Sequence, residues 1–163
     1  MLKEFKLSKN ETSDVPKWAR PDREPLRPQN VLIVDDDIDS AMLIDSIFAH
    51  LGCATIYSQS PGEAKKKICS HKADIIILDW VLDQHTNGGG VVAECEKIFS
   101  RFKGDPAEAQ RSRPKIITYS SLEPSEIEMH SSPYFIYLGH WKKPIAQRDL
   151  LEKALMVLKE QGL

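Results

Sequence analysis

The sequence predicts an α/β fold, a (βα)5 doubly wound parallel sheet with strand order 2-1-3-4-5. Short runs of apolar, largely β-branched residues recur along the chain, and segments with helical periodicity separate them. The run Ile75–Leu78 is apolar at every position and too short for a stable lone helix, as expected of a strand buried on both faces. Two such runs end in acidic residues, where open parallel sheets bind ligands.

The size and composition are those of one domain. The chain has 163 residues and a formal net charge of -2, which gives no reason to expect binding to nucleic acid. No apolar run approaches the roughly 18 residues of a membrane span, and no secretory signal opens the sequence. The three cysteines are odd in number and show no paired metal spacing, so we expect reduced thiols and a cytoplasmic location.

The first 29 residues differ in composition from the rest. They are charged, contain four prolines and have few aliphatic side chains, so we expect residues 1–29 to form a flexible extension and residues 30–163 to form the domain. Trp18 is the exception in this extension. It either packs onto its own domain or anchors a partner.

The first half of the domain begins with two strand–helix units. The first strand is Val31–Val34, and Asp37 or Asp39 caps the helix that follows. The second strand is 54–58, and Ser60-Pro61-Gly62-Glu63 has the form of a capping box with proline at the first helical position. The first helix ends at Gly52, and its predicted apolar stripe is Met42, Leu43, Ile47, Phe48 and Leu51.

The first and third strands both end in acids. Asp79 follows the third strand, and Asp35, Asp36 and Asp37 follow the first. Asp79 taken alone is explained equally well as a cap for the next turn. If the two strands are neighbours, each pair of carboxylates about 4–5 Å apart costs roughly 3–4 kcal/mol at an effective dielectric constant of about 20. A bound cation would relieve this repulsion, and carboxylate oxygens with water suit Mg²⁺.

The second half continues the alternation. A glycine-rich loop at 81–90 matches neither a P-loop nor a dinucleotide fingerprint, and we expect its His85 to be solvated. A helix at 91–102, a polar surface loop at 103–113, and a fourth strand, 115–119, follow. Pro124 starts a short helix, and a fifth strand within 134–142 precedes Lys143. The last helix is predicted to bury Leu150, Leu151, Ala154, Leu155 and Leu158.

The ordered motifs VLIVDDD, IIILDW, IITYSS and WKKPI resemble the receiver domain of two-component response regulators, over about residues 30–163. The resemblance implies a flavodoxin-like fold and a stand-alone receiver with no output domain. The pair Asp79-Trp80 is similar to the corresponding pair in the bacterial chemotaxis regulator. Asp83 stands where the family usually has proline, and the glycines of this loop begin about one residue late.

The resemblance also implies roles for individual residues. Asp79 would be the phosphoacceptor, and Lys143 would pair with the phosphoryl oxygens. Mg²⁺ would be bound directly by Asp36 and Asp79, through water by Asp35, and by the backbone carbonyl of Val81. The phosphodonor would be a histidine kinase or a histidine phosphotransfer protein. Output would pass through an unknown protein partner or self-association, with no nucleic-acid or membrane partner.

The family also couples a hydroxyl at the end of strand four to an aromatic on strand five. Ser120 is the predicted hydroxyl, with Thr118 as the alternative on the same face. Tyr119 points to the other face. The aromatic is either His140, which has the expected spacing from Lys143, or Trp141, which has the expected chemistry.

Two other functions remain open at this point. The first is a degenerate receiver that acts as a constitutive binding module, because the loop after Asp79 departs from the family pattern. The second is an aspartate-nucleophile phosphatase of the haloacid dehalogenase type, because Asp35 and Asp37 mimic its Asp-x-Asp signature. Asp39 stands where that family favours threonine or valine.

Overall fold

A computed structural model describes residues 28–70, 73–82, 88–100 and 113–160. Residues 1–27 of the predicted extension, with Trp18, lie outside the described residues. So do the loop residues 83–87, with His85, and residues 101–112, which include most of the predicted polar loop. The strands and helices, in chain order, are β1 (Asn30–Val34), α1 (Ile38–His50), β2 (Ala54–Ser58), α2 (Pro61–Ser70), β3 (Ile75–Leu78), α3 (Gly89–Ser100), β4 (Lys115–Ser120), β5 (Ile136–Lys142) and α4 (Gln147–Glu160).

The five strands form one parallel sheet in the order β2-β1-β3-β4-β5, as predicted. β1 lies beside β3, with Val34 opposite Leu78. The side chains of β3 are fully buried because helices cover both faces of the sheet. The helices that follow β1 and β3, α1 and α3, lie on opposite faces of the sheet. Neighbouring strands whose connections leave to opposite faces border a crevice at their carboxyl ends.

Two hydrophobic clusters fill the spaces above and below the sheet. Alternate residues of each strand enter opposite clusters, as the period of a strand requires. Val31 and Ile33 pack with α1 and α4, whereas Leu32 and Val34 pack with α2 and α3. The sheet is therefore the middle layer of three.

The predicted starts of the first two helices are confirmed. The Asp37 carboxylate accepts a hydrogen bond from the backbone N–H of Asp39 and caps α1. Ser60 Oγ accepts from the N–H of Glu63 at the start of α2, at 3.2 Å. The Glu63 carboxylate reaches back to the N–H of Gln59 rather than to that of Ser60.

Two helix faces differ from the prediction. In α1 the residues that face the sheet are Ala41, Ile44, Ile47 and Phe48, whereas Met42 is 64% exposed. Met42 lies about 100° around the helix from Ala41, which points it away from the core. In α4, Val157 is buried, whereas Leu155 is 36% exposed.

The connection between β4 and β5 also differs from the prediction, because a 3₁₀ turn at Pro124–Glu126 takes the place of the short helix predicted to start at Pro124. Proline at the first position and the short polar sequence give this segment no apolar stripe to bury. Ile127 and Phe135 instead reach the core from irregular backbone. None of the helices within the described ranges is long and apolar enough to cross a membrane.

Candidate functional site

The pairing of β1 with β3 brings the acids together. Asp35 follows β1 and Asp79 follows β3, and the backbone N–H of Asp79 donates to the carbonyl of Val34 at 2.8 Å. Carboxylate oxygens of Asp35, Asp36 and Asp79 all lie within 4.8 Å of one another. The parallel register of two adjacent strands therefore produces the crowding that the sequence predicts.

The three carboxylates lie in different environments. Asp35 is 2% and Asp79 is 7% exposed, whereas Asp36 is exposed. Asp35 Oδ1 accepts from the N–H of Asp37 at 2.9 Å, and Asp79 Oδ1 accepts from the N–H of Val81 at 3.0 Å. These backbone donors orient each buried carboxylate and leave its second oxygen free for another partner.

Lys143 is that partner. Its backbone N–H donates to the carbonyl of Ser120 at 2.8 Å, which ties the end of β5 to the end of β4. Its ammonium Nζ lies 2.7 Å from Asp35 Oδ2 and 3.3 Å from Asp79 Oδ2. Buried charges need a close partner of this kind to offset their lost hydration.

The ionisation of Asp79 reflects these surroundings. Burial raises the pKa of Asp79 to about 6, and the negative charge of Asp35 adds to this effect, whereas the Val81 N–H and Lys143 oppose it. Burial alone would lower the pKa of Lys143, but the carboxylates of Asp35 and Asp79 raise it above its usual value. At neutral pH Asp79 is therefore mostly ionised and Lys143 is positively charged.

The acidic cluster fits Mg²⁺ in its donor chemistry. All three side chains offer carboxylate oxygen, which is the ligand that Mg²⁺ prefers, and exposed Asp36 leaves a side open to water. Val81 lies two residues after Asp79 in the sequence. Its carbonyl as a further ligand stays a prediction.

The hydroxyls at the end of β4 share one face of the sheet. Ser120 is buried, and its Oγ accepts from the N–H of Leu122 at a long 3.4 Å. Thr118 Oγ1 lies 2.9 Å from both the Tyr137 hydroxyl and His140 Nδ1. Thr118 is therefore tied to β5, whereas Ser120 is held more loosely.

The two aromatic candidates on β5 face opposite ways. Trp141 packs into the cluster of α1 and α4. His140 lies on the side of Thr118, and its Nε2 is 2.9 Å from the carbonyl of Leu122. Of the two, only His140 contacts the hydroxyl-bearing face of β4.

Two tyrosines at the site were not predicted from the sequence, Tyr137 beside Thr118 and Tyr119 beneath Lys143. The ring of Tyr119 lies 4.7 Å from Lys143 Nζ, measured to the ring centroid. The available signal was an aromatic residue within each predicted strand. It did not distinguish these rings from ordinary core residues.

The glycine-rich loop has a structural role at its described end. The N–H of Gly88 donates to the carbonyl of Trp80 at 2.8 Å. A Cβ atom on Gly88 would lie 2.9 Å from Trp80 Cε3 and 3.1 Å from the carbonyl oxygen of Asp79. Gly88 therefore allows its own backbone to lie close to the end of β3.

Asp37 has a different part from the other acids of its run. Its side chain is exposed and caps α1, and it is not one of the three carboxylates that converge. The Asp-x-Asp arrangement formed by Asp35 and Asp37 therefore does not present two acids to one site.

Neither a family model nor a curated protein matches this sequence. Solved structures do. A two-component response regulator from Clostridium difficile superimposes with a TM-score of 0.60 at 20% identity, covering 83% of this chain and 99% of that one. CheY in the CheX-CheY-BeF3-Mg+2 complex from Borrelia burgdorferi gives 0.60 at 21% identity, covering 80% and 90%. This chain has the receiver-domain fold.

A third similar structure, a CheY-like receiver domain protein from Methanospirillum hungatei, gives a TM-score of 0.57 at 22% identity over 83% of this chain and 97% of that one. Coverage of these structures is nearly complete, so the likeness includes the whole sheet and not a single βαβ unit. At identities of 20–22%, this likeness establishes the fold alone.

Proposed function

We propose that this chain is a phosphorylation-dependent signalling switch that accepts a phosphoryl group on Asp79. The donor would be a histidine kinase or a histidine phosphotransfer protein, and output would pass through contact with another protein or a second copy. The receiver-domain fold supports this class of function. The roles of individual residues rest on the geometry of the acidic edge.

The main support is the contact of Lys143 with two buried carboxylates. Its Nζ lies 2.7 Å from Asp35 and 3.3 Å from Asp79, so a cation is already in place where a phosphoryl group on Asp79 would bring negative charge. The Val81 N–H fixes Asp79 Oδ1 and so orients the carboxylate. Such preorganised charge is the main source of catalysis in phosphoryl transfer.

The phosphodonor in the proposed step is a phosphohistidine. An ionised oxygen of Asp79 attacks phosphorus, a P–O bond forms as the P–N bond breaks, and the electron pair leaves with the imidazole nitrogen. Because the pKa of Asp79 is about 6, the nucleophile is mostly ionised at pH 7. Mg²⁺ bound by Asp35, Asp36, Asp79 and the Val81 carbonyl would add positive charge beside the phosphoryl oxygens.

The proposal includes a reducing, cytoplasmic location. Cys53 and Cys95, the two cysteines whose side chains are described, are free thiols, which is compatible with that compartment. We further propose that Ser120 is the hydroxyl that responds to phosphorylation and that His140 is its aromatic partner on β5.

Incubation with acetyl phosphate and Mg²⁺ tests the assignment of Asp79. The wild-type chain should gain about 80 Da by intact-mass analysis, the mass of one phosphoryl group, and Asp79→Asn should gain none. Asp37→Asn is the matched control, because this acid of the same edge caps α1 and is not one of the three converging carboxylates. Labelling that persists in Asp79→Asn would overturn the assignment.

This labelling experiment and a turnover assay together separate the alternatives. A degenerate receiver would show no label in the wild type. A phosphatase would release many equivalents of phosphate from a generic phosphate ester, whereas a receiver is labelled once per chain. The capping role of Asp37 argues against the phosphatase, because that chemistry needs a second acid of the Asp-x-Asp pair at the site.

A further inference from the structure

A tyrosine ring lies against the cation of the acidic site. The centroid of the Tyr119 ring is 4.7 Å from Lys143 Nζ, within the range of a cation–π contact. Tyr119 is only 4% exposed, so water does not screen the interaction fully. The Lys143 ammonium is thus in contact with Asp35, with Asp79 and with this ring.

Three elements fix the position of the ring. Tyr119 belongs to β4 and packs in the cluster of α1 and α4, on the face opposite to Ser120. Its hydroxyl lies near the side chain of Ser40 in α1. The ring also lines a groove of about 440 Å³ beside the site, together with Lys143, Leu43 and Ile145. The ring is therefore a rigid part of the wall, whereas a lysine side chain is intrinsically flexible.

We propose that Tyr119 is a positioning residue for Lys143, whose ring face holds the ammonium at the Asp35 and Asp79 carboxylates. An ammonium has three N–H donors, and the two carboxylates engage it on one side. The ring attracts the cation without an acceptor oxygen. It therefore keeps Lys143 near Asp79 but does not compete with an arriving phosphoryl group as a third carboxylate would.

This inference rests on the proposed function for its kinetic consequence, although the contact itself does not. Tyr119→Leu should slow phosphorylation by acetyl phosphate about threefold to thirtyfold, the range of a partly buried cation–π contact. Tyr119→Phe keeps the ring and should restore the wild-type rate to within about twofold. Ser40→Ala, which removes only the hydroxyl contact, should match Tyr119→Phe.

Two comparisons separate positioning from simple packing. In a Lys143→Ala background, Tyr119→Leu should give no further slowing, because the group it positions is gone. Equal slowing with and without Lys143 would overturn the proposal. So would a Tyr119→Phe rate as low as that of Tyr119→Leu.

NMR of the unphosphorylated full chain tests the contact independently. The side-chain methylene protons of Lys143 next to the ammonium should lie upfield of those of other lysines, because the Tyr119 ring shields them. The shift should persist in Tyr119→Phe and disappear in Tyr119→Leu. Ordinary Lys143 shifts in the wild type would refute the positioning role. If the wild type shows this shift but takes no phosphoryl label, the proposed function fails and the positioning role stands.

Discussion

Replacement of Asp79 with asparagine should stabilise the metal-free protein at neutral pH. The pKa of Asp79 is about 6 in the folded protein, against a reference value of 3.8, because the carboxylate is buried beside Asp35. Between these two values the folded state binds more protons than the unfolded state, so the free energy of unfolding falls as pH rises from about 4 to about 6 and levels off above. The amide side chain of the Asp79→Asn variant is neutral throughout this range.

The size of this stabilisation follows from the difference between the folded and reference pKa values of Asp79. Two pKa units correspond to about 3 kcal/mol, and we expect about 1–3 kcal/mol of stabilisation at pH 7, because the 7% exposure of Asp79 leaves some hydration in the folded state. At pH below about 4 the wild type and Asp79→Asn should be equally stable. Because Asp79 also raises the pKa of Lys143, the comparison measures the Asp79 charge together with its effect on that neighbour.

Urea denaturation in EDTA at several pH values between 4 and 7 measures this difference. Asp36→Asn is the matched control, since its exposed carboxylate should change the free energy of unfolding by less than about 0.5 kcal/mol. Mg²⁺ should reverse the order of stability in part: at ten times its dissociation constant it should stabilise the wild type by about 1.4 kcal/mol and leave Asp79→Asn nearly unchanged. A destabilised Asp79→Asn at pH 7, or a difference that does not vary with pH, would refute the reasoning.

Three further predictions concern switching, lifetime and folding. Ser120→Ala should abolish the phosphorylation-dependent change in partner binding or dimerisation, measured by pull-down or sedimentation; an intact change would show that another hydroxyl is used. The phosphorylated form should be long-lived, because Val81, which is 45% exposed, and half-buried Leu122 are apolar and cannot hydrogen-bond an attacking water. Val81→Asn combined with Leu122→Glu should shorten the decay of the label after donor removal, and a wild-type half-life of seconds would contradict the prediction. Gly88→Ala should lower the free energy of unfolding by about 1–3 kcal/mol, because its Cβ would meet Trp80. A Cβ on Gly90, near the start of α3, has no neighbour within 4 Å, so Gly90→Ala should be neutral or slightly stabilising.

Much of the fold was predictable because burial constrains the sequence of a central strand. β3 is apolar at all four positions, since both of its faces are covered. The acids at the ends of β1 and β3 were likewise predictable as a cluster, because parallel neighbours end at the same edge. For the metal site, the sequence alone predicts the type of ligand atom. It does not predict the positions of individual oxygens, because these depend on the loops.

Helix faces were predicted less well, for a physical reason. The assigned stripe of α1 included Met42 and omitted Ile44, although both are apolar, because a surface methionine is indistinguishable from a core one by hydrophobicity. The packing geometry of the helix on the sheet decides between them. The sequence likewise did not distinguish the 3₁₀ turn at Pro124–Glu126 from the short helix predicted there, since Pro124 can start either structure.

The choice between His140 and Trp141 depends on a local irregularity that spacing cannot reveal. The β4–β5 register shifts between Ile116 and Ile117, so that Ile116 pairs with Tyr137 and Ile117 pairs with Gly139. Gly139 has a φ of 134°, a conformation that favours glycine. The extra residue turns His140 to the same face as Tyr137, three positions earlier, and sends Trp141 to the opposite face. A glycine inside a strand was the only sequence signal for this bulge.

The bulge also distinguishes the two candidate hydroxyls. Because the Leu122 carbonyl can only accept, His140 Nε2 must donate to it, and in the neutral ring Nδ1 then accepts from the Thr118 hydroxyl. Thr118 in turn accepts from Tyr137, so moving it would break two hydrogen bonds, at a net cost of about 1 kcal/mol each. Within the described residues, the Ser120 side chain has one hydrogen bond, the long 3.4 Å contact from the N–H of Leu122, and is the cheaper group to displace. Movement of Ser120 would release the N–H of Leu122, whose carbonyl His140 holds. A change at the acidic edge could thus reach β5 through a single residue.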